Sequence, residues 1–232
     1  MEIIETNSPR EDAGKALGAL LEENKDKPIL LMLSGGSAFT ILDFVPTAVL
    51  GSHITVTVLD ERHSTDPQVN NFAQLEQTNF YKICLEQGAG HISTKVLLNE
   101  SVEELRDRFD RTLHMWKEQH RNGVVIATMG IGADGHTAGI FPGKYGVDFN
   151  DDVWVVGYSV PKEVNAYTDR VTVTNTFLRE EVLATVVFIE GAEKKQYVHK
   201  LLDESCDIGS LPSCIMREMA SVVLITDAPE SK

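Results

Sequence analysis

Five short apolar runs constrain this chain more than any other feature. They are "PILLML" at 28–33, "HITVTVLD" at 53–60, "VVIATM" at 124–129, "ATVVFIEG" at 184–191 and "SVVLIT" at 221–226. In four of them the apolar residues run on rather than alternating with polar ones, the mark of strands buried on both faces, while the run at 53–60 is β-branched and strand-like. Helical segments separate them. Parallel neighbours need such crossovers, because a tight hairpin cannot join them. The expected fold is therefore α/β, a mostly parallel sheet with helices on both faces, in a single domain over 1–232. With 42% apolar residues, the 232-residue chain can fill such a core.

Other elements are expected around this frame. "SPRE" at 8–11 reads as a helix start with a Ser8–Glu11 capping box, and Ser101–Glu104 reads as a second. "AFTILDFVPTAVL" reads as a helix broken near Pro46, and "NNFAQLEQTNFYKICLEQ" as a helix ending at Gly88. "ISTKVLL" reads as a weaker strand, and "VWVVGYSV" and "RVTVTN" as strands. The segment from about Ala192 to Glu204 reads as a helix.

Composition excludes several function classes. The net charge is −14, which disfavours non-specific binding to nucleic acid or to an anionic membrane. No apolar run is long enough to span a bilayer, and the acidic start "MEIIETNSPRED" lacks the apolar stretch of a signal peptide. The three cysteines, Cys84, Cys206 and Cys214, are odd in number and lack zinc-type spacing. They are expected reduced, in a cytoplasmic protein.

Ligands of open α/β sheets bind beyond the carboxyl ends of the strands. Three strands here end in unusual loops, expected to meet at one sheet edge. In "LSGGS", Ser34, Gly35, Gly36 and Ser37 offer backbone N–H groups and hydroxyls to an anion, or form an ordinary tight turn. In "LDERH", Arg62 suits a phosphate, a carboxylate or a developing oxyanion, while Asp60 and an Arg are equally able to pair locally. A metal site on Asp60, Glu61 and His63 is disfavoured, because adjacent residues of an extended segment point apart. In "MGIGADGHTAGIFPG", Asp134 and His136 would place a carboxylate beside an imidazole, the equipment of a general base. No G-x-S-x-G nucleophile is present, which favours direct attack by water. Arg170, Lys194 and Lys195 are further basic residues at strand ends.

Taken in order, "LSGGS", "LDERH", "MGIGADGHTAGIFPG", "DRVTVT", "EGAEKK" and "LPSCI" resemble the 6-phosphogluconolactonases and their wider superfamily of glucosamine-6-phosphate deaminases. The resemblance runs from about Ser8 to Thr226. It implies a Rossmann-like sheet, no required cofactor or metal, and a phosphorylated sugar lactone as small-molecule partner, in a monomer or homodimer. It implies that His136 activates water, Asp134 supports it and Arg62 faces the substrate. Ser34, Gly35, Gly36, Ser37 and Asp60 would line the sugar-phosphate pocket, with Arg170 and Lys194 on the phosphate. Lysine choice follows the family spacing G-x-x-K, counted from Gly191. Deaminases carry a glutamate five residues after the histidine, where this chain has Phe141. Ala38, Asn70 and Gly139 depart from the residues usual in the lactonases.

Overall fold

The computed structural model describes residues 1–143, 153–191 and 194–227, with the side chain of Lys195 outside the description. A seven-stranded sheet forms its centre. The strands are β1 (Glu2–Glu5), β2 (Ile29–Leu33), β3 (Ile54–Val58), β5 (Gly90–His91), β6 (Val124–Met129), β9 (Val182–Ile189) and β10 (Val222–Thr226). Their order is β1-β10-β9-β6-β2-β3-β5, and every neighbouring pair is parallel. Every residue of β2 is buried, and its side chains alternate between two cores. Ile29, Leu31 and Leu33 join Leu17 and Leu21 of α1 (Pro9–Glu23), while Leu30 and Met32 join Phe109 and Leu113 of α4 (Val102–Gln119). This two-sided burial is why the strands read as continuous apolar runs.

The strand order locates the ligand edge. From β2 the chain builds outward through β3 and β5, then returns to β6 on the other flank and builds through β9 and β10. The switch point lies between β2 and β6, so the loops leaving these two strands diverge and open a crevice. The Ser34 N–H donates to both the carbonyl and the hydroxyl of Thr128 at 3.1 Å, tying the first loop to the end of β6.

A second sheet was not foreseen. Asp60–Arg62, expected as a loop, forms β4, which pairs antiparallel with β8 (Asp169–Val173); β8 pairs in turn with β7 (Val155–Ser159). Asp60 lies opposite Thr172, and Arg62 opposite Arg170. β1 is likewise a strand hidden in the acidic start.

Other expectations change for local reasons. The Ser8 side chain makes no cap; Thr6 Oγ1 instead accepts the Ser8 N–H at 3.1 Å. The box at Ser101 and Glu104 forms in both directions. Gly36–Phe44 and Thr47–Val49 are 3-10 turns, split where Val45, preceding Pro46, is extended. The segment expected as one helix divides into α2 (Asn71–Leu75) and α3 (Asn79–Glu86), because the Thr78 hydroxyl caps α3 at the Tyr81 N–H. "ISTKVLL" is not a strand: Arg108 takes the carbonyls of Ser93 and Lys95, removing them from any ladder. α6 runs Lys195–Leu202, within the expected helix, whose residues 192 and 193 lie outside the described residues.

The cysteine expectation is corrected. Cys206 and Cys214 form a disulfide, their Cα atoms 5.8 Å apart, and Cys84 is free and buried. Tight turns after α6 fold Cys206 back onto the 3-10 turn Pro212–Arg217, a proximity that spacing alone does not reveal. The odd cysteine count therefore carries no argument for a reducing compartment. Among the described residues no helix is long and apolar enough to cross a membrane.

Candidate active site

The loop after β6 is folded on itself. Gly132 N–H donates to the His136 carbonyl at 2.8 Å, and Gly135, at φ +87°, turns the chain between them. Thr137 Oγ1 donates to the Gly130 carbonyl at 2.8 Å, and Tyr197 OH to that of Ala133 at 2.7 Å. The loop is thus held at both ends and from α6.

This fold brings Asp134 and His136 together. Asp134 Oδ1 lies 2.5 Å from His136 Nδ1 and also accepts the His136 backbone N–H at 3.1 Å. Burial pushes the Asp134 carboxyl up, but the imidazole and the backbone N–H groups outweigh it, and its pKa falls below the ordinary value. A proton on Nδ1 would be directed to the carboxylate, which leaves Nε2 as the ring nitrogen facing away from Asp134. The ring also packs at 4.9 Å from that of Phe141.

His136 lines a cleft of about 120 Å³ together with Ser34, Gly35, Ser37, Gly130, Gly132 and Lys194. The first and third expected loops therefore meet, with one lysine, at the switch point. A larger hollow of about 340 Å³ opens on the other side of Asp134, against Tyr197, Lys200 and Asp207. The smaller cleft is the better candidate for chemistry, because it holds the imidazole, the Gly-rich turn and the cation together.

Three expected residues lie elsewhere. Asp60 and Arg170 form a buried ion pair, with 5% and 4% of their side chains exposed. Arg170 also lies over the Phe141 ring at 5.3 Å. The pair stands behind the His136 loop, as β4 and β8 face each other. Arg62 stacks over Tyr167 at 4.7 Å, in a separate depression with His63 and Asp169. Glu61 points away from both, as strand alternation requires. Its carboxylate accepts four hydrogen bonds, from the N–H groups of Arg62, Asn71 and Phe72 and from Thr94 Oγ1. Burial nonetheless pushes its pKa up to about 7. His63 Nε2 lies 2.8 Å from the Glu100 carbonyl. The three groups considered for a metal thus diverge, and the described residues contain no cluster of three or more metal-ligating side chains.

Several supporting residues carried no sequence signal. Tyr158 OH donates to the Gly139 carbonyl at 2.5 Å, and Gly139 N–H donates to Thr172 Oγ1 at 3.0 Å. Both hold the loop from the antiparallel sheet, which sequence reading did not assemble.

The family profile of glucosamine-6-phosphate isomerases/6-phosphogluconolactonase matches residues 10–224. The chain belongs to that family. No curated protein sequence matches it significantly. Its fold is that of solved members. A 6-phosphogluconolactonase from Shewanella baltica is 18% identical over 97% of this chain and 96% of its own, with a TM-score of 0.73. The Plasmodium vivax 6-phosphogluconolactonase is 14% identical over 100% and 91%, with a TM-score of 0.76. A Thermotoga maritima 6-phosphogluconolactonase is 22% identical over 97% of both chains, with a TM-score of 0.69.

Departures from the usual lactonase residues have local explanations. Asn70 caps α2, its Oδ1 accepting the Ala73 N–H at 2.8 Å, a role serine fills equally. A Cβ on Gly139 would stand 2.8 Å from Thr172 Cβ and 3.2 Å from Asp60 Cβ, so a serine there does not fit without movement. Ala38 is buried at the cleft wall.

Proposed function

We propose that this protein hydrolyses 6-phosphoglucono-1,5-lactone to 6-phosphogluconate, the second step of the oxidative pentose phosphate pathway. The observation that carries the reading is the 2.5 Å contact between Asp134 and His136, in one cleft with the Ser34–Ser37 turn and Lys194. The names of the solved relatives support it.

In this mechanism the phosphate docks against the turn amides, the Ser37 hydroxyl and Lys194. His136 Nε2 takes a proton from water as the water oxygen bonds to the lactone carbonyl carbon. Asp134 holds the tautomer and stabilises the imidazolium that forms. A loop amide, or Arg62 on leaving its stack with Tyr167, receives the oxyanion. The tetrahedral intermediate then expels the ring oxygen, and the imidazolium returns the proton to it. Asp60 and Arg170 support the loop from behind; Arg170 reaches the phosphate only if the pair opens. No cofactor takes part in these steps.

Phe141 favours hydrolysis over deamination. Ring opening and isomerisation need further proton transfers, and an apolar ring, fully buried here, stands where the deaminases carry a glutamate. The substrate is a free small molecule. We further propose a monomer or homodimer as assembly and the cytoplasm as compartment, where the Cys206–Cys214 bond would face a reducing environment.

The test generates the lactone in place with glucose-6-phosphate dehydrogenase and follows 6-phosphogluconate above the spontaneous rate. Ammonia release from glucosamine 6-phosphate would indicate a deaminase instead. Tight sugar-phosphate binding without turnover would indicate a sensing domain.

A further inference from the structure

Asn71, at the start of α2, touches both the Gly35 turn and the β4 strand. Its amide is fixed from the β4 side. Nδ2 lies 2.9 Å from the Asp60 carbonyl and 3.4 Å from Asp60 Oδ2, and its backbone N–H donates to Glu61 Oε1 at 2.5 Å. Two Asp60 oxygens on one side settle which amide atom is which. The carbonyl oxygen Oδ1 therefore lies on the side away from Asp60, and the amide packs face-on beneath Gly35. A Cβ built on Gly35 would stand 2.5 Å from Oδ1, 2.6 Å from Cγ and 2.9 Å from Nδ2. Asn71 is 1% exposed, and among the described residues Oδ1 has no hydrogen-bond donor.

A buried acceptor without a partner is costly. The Gly35–Gly36 turn packs directly on this amide, and Gly36, at φ +66° with nothing within 4 Å of where a Cβ would stand, leaves that turn free to rotate its peptide planes. We propose that Asn71 is a positioning residue for the phosphate cradle: its side-chain carbonyl receives an N–H of the Gly35–Gly36 turn, and the neighbouring amides are thereby aimed at the anion. The inference rests on reading Ser34–Ser37 as that cradle. It also assigns a function to the absence of a side chain at Gly35, since any larger residue would displace the amide that sets the turn.

The experiment is calorimetric binding of 6-phosphogluconate and of gluconate to the full chain. Their affinity ratio reads the cradle alone. Wild type is expected to prefer the phosphorylated acid strongly. Asn71→Ala should cut that preference about tenfold, the effect of roughly one well-placed hydrogen bond. It should raise KM for the lactone more than it lowers kcat, and Asn71→Ser should lie between the two. An equal loss of affinity for both acids, or an unaltered ratio in a folded variant, would overturn the proposal. If neither Asn71 variant folds, Gly35→Ala tests the same contact from the half-buried turn. It should lose the preference, and an unaltered ratio there overturns the proposal too. A wild type with no preference for the phosphorylated acid would overturn the cradle reading itself, and the Asn71 role with it.

Discussion

The imidazole of His136 lies flat against the Cα of Gly132. A Cβ at Gly132 would stand 2.1 Å from both Cε1 and Nδ1 of the ring. With Phe141 on another side and Asp134 on Nδ1, the ring has one place to sit. Gly132→Ala must therefore displace the ring or the loop. We expect it to lower kcat by about 10²-fold or more, approaching His136→Ala, since a positioned base contributes roughly 10²–10⁴. Near-wild-type turnover of His136→Ala would remove His136 from the mechanism, and of Gly132→Ala would show that Gly132 does not fix the ring. Circular dichroism would establish that the fold is retained.

Glu61 makes stability depend on pH. Its folded-state pKa, about 7, lies above its ordinary 4.5, because burial outweighs four hydrogen bonds. The folded protein thus holds the proton more tightly than the unfolded chain. Stability from this group is full below about pH 4.5 and is lost as pH rises through about 7. The gap corresponds to roughly 3 kcal/mol. Glu61→Gln, which cannot titrate, should flatten this fall between pH 4.5 and 8, measured by urea unfolding. Parallel pH profiles for the two proteins would contradict the assignment.

The Asp60–Arg170 pair is buried on both sides, so each partner depends on the other. Arg170→Met leaves the buried Asp60 carboxyl without its ion-pair partner. A loss of about 3–5 kcal/mol in unfolding free energy is expected. Arg62→Met, on the partly exposed stack over Tyr167, should cost less than about 1 kcal/mol. Equal losses would mean that the pair is not the anchor of the loop.

The Cys206–Cys214 disulfide closes a short loop, with a sequence separation of 8. This loop carries Leu211, which packs beside Gly135, and Gly209, whose carbonyl accepts the Gly143 N–H at 2.8 Å. Reduction with a dithiol should cost about 2–3 kcal/mol of stability. Cys206→Ser should match the reduced protein, and reductant should then have no further effect on it. Stability indifferent to reductant in the wild type would show that the bond contributes nothing.

Much of the frame was legible because its signals are local. A run such as Ile29–Leu33 declares two-sided burial in five consecutive residues, and Ser101 with Glu104 declares a helix start within one turn. The Asp134–His136 pair was legible for the same reason, since the two residues stand two apart in one loop. β4 was not legible, because a three-residue strand made of Asp, Glu and Arg has no apolar pattern to read. Ser8 misled because a capping sequence does not ensure a capping geometry when Thr6 is nearer to hand.

The sequence by itself determined the layers, the five buried central strands, and which loop holds the acid and the imidazole. Only the tertiary structure decided that β2 and β6 are neighbours, which brings the Ser34–Ser37 turn to His136. It alone paired Asp60 with Arg170, 110 residues away, turned Arg62 onto Tyr167 and set Asn71 beneath Gly35. The physical reason is that these are contacts between side chains far apart in the chain. Nothing in the local pattern of either partner encodes the other; the strand order and the antiparallel sheet bring them together.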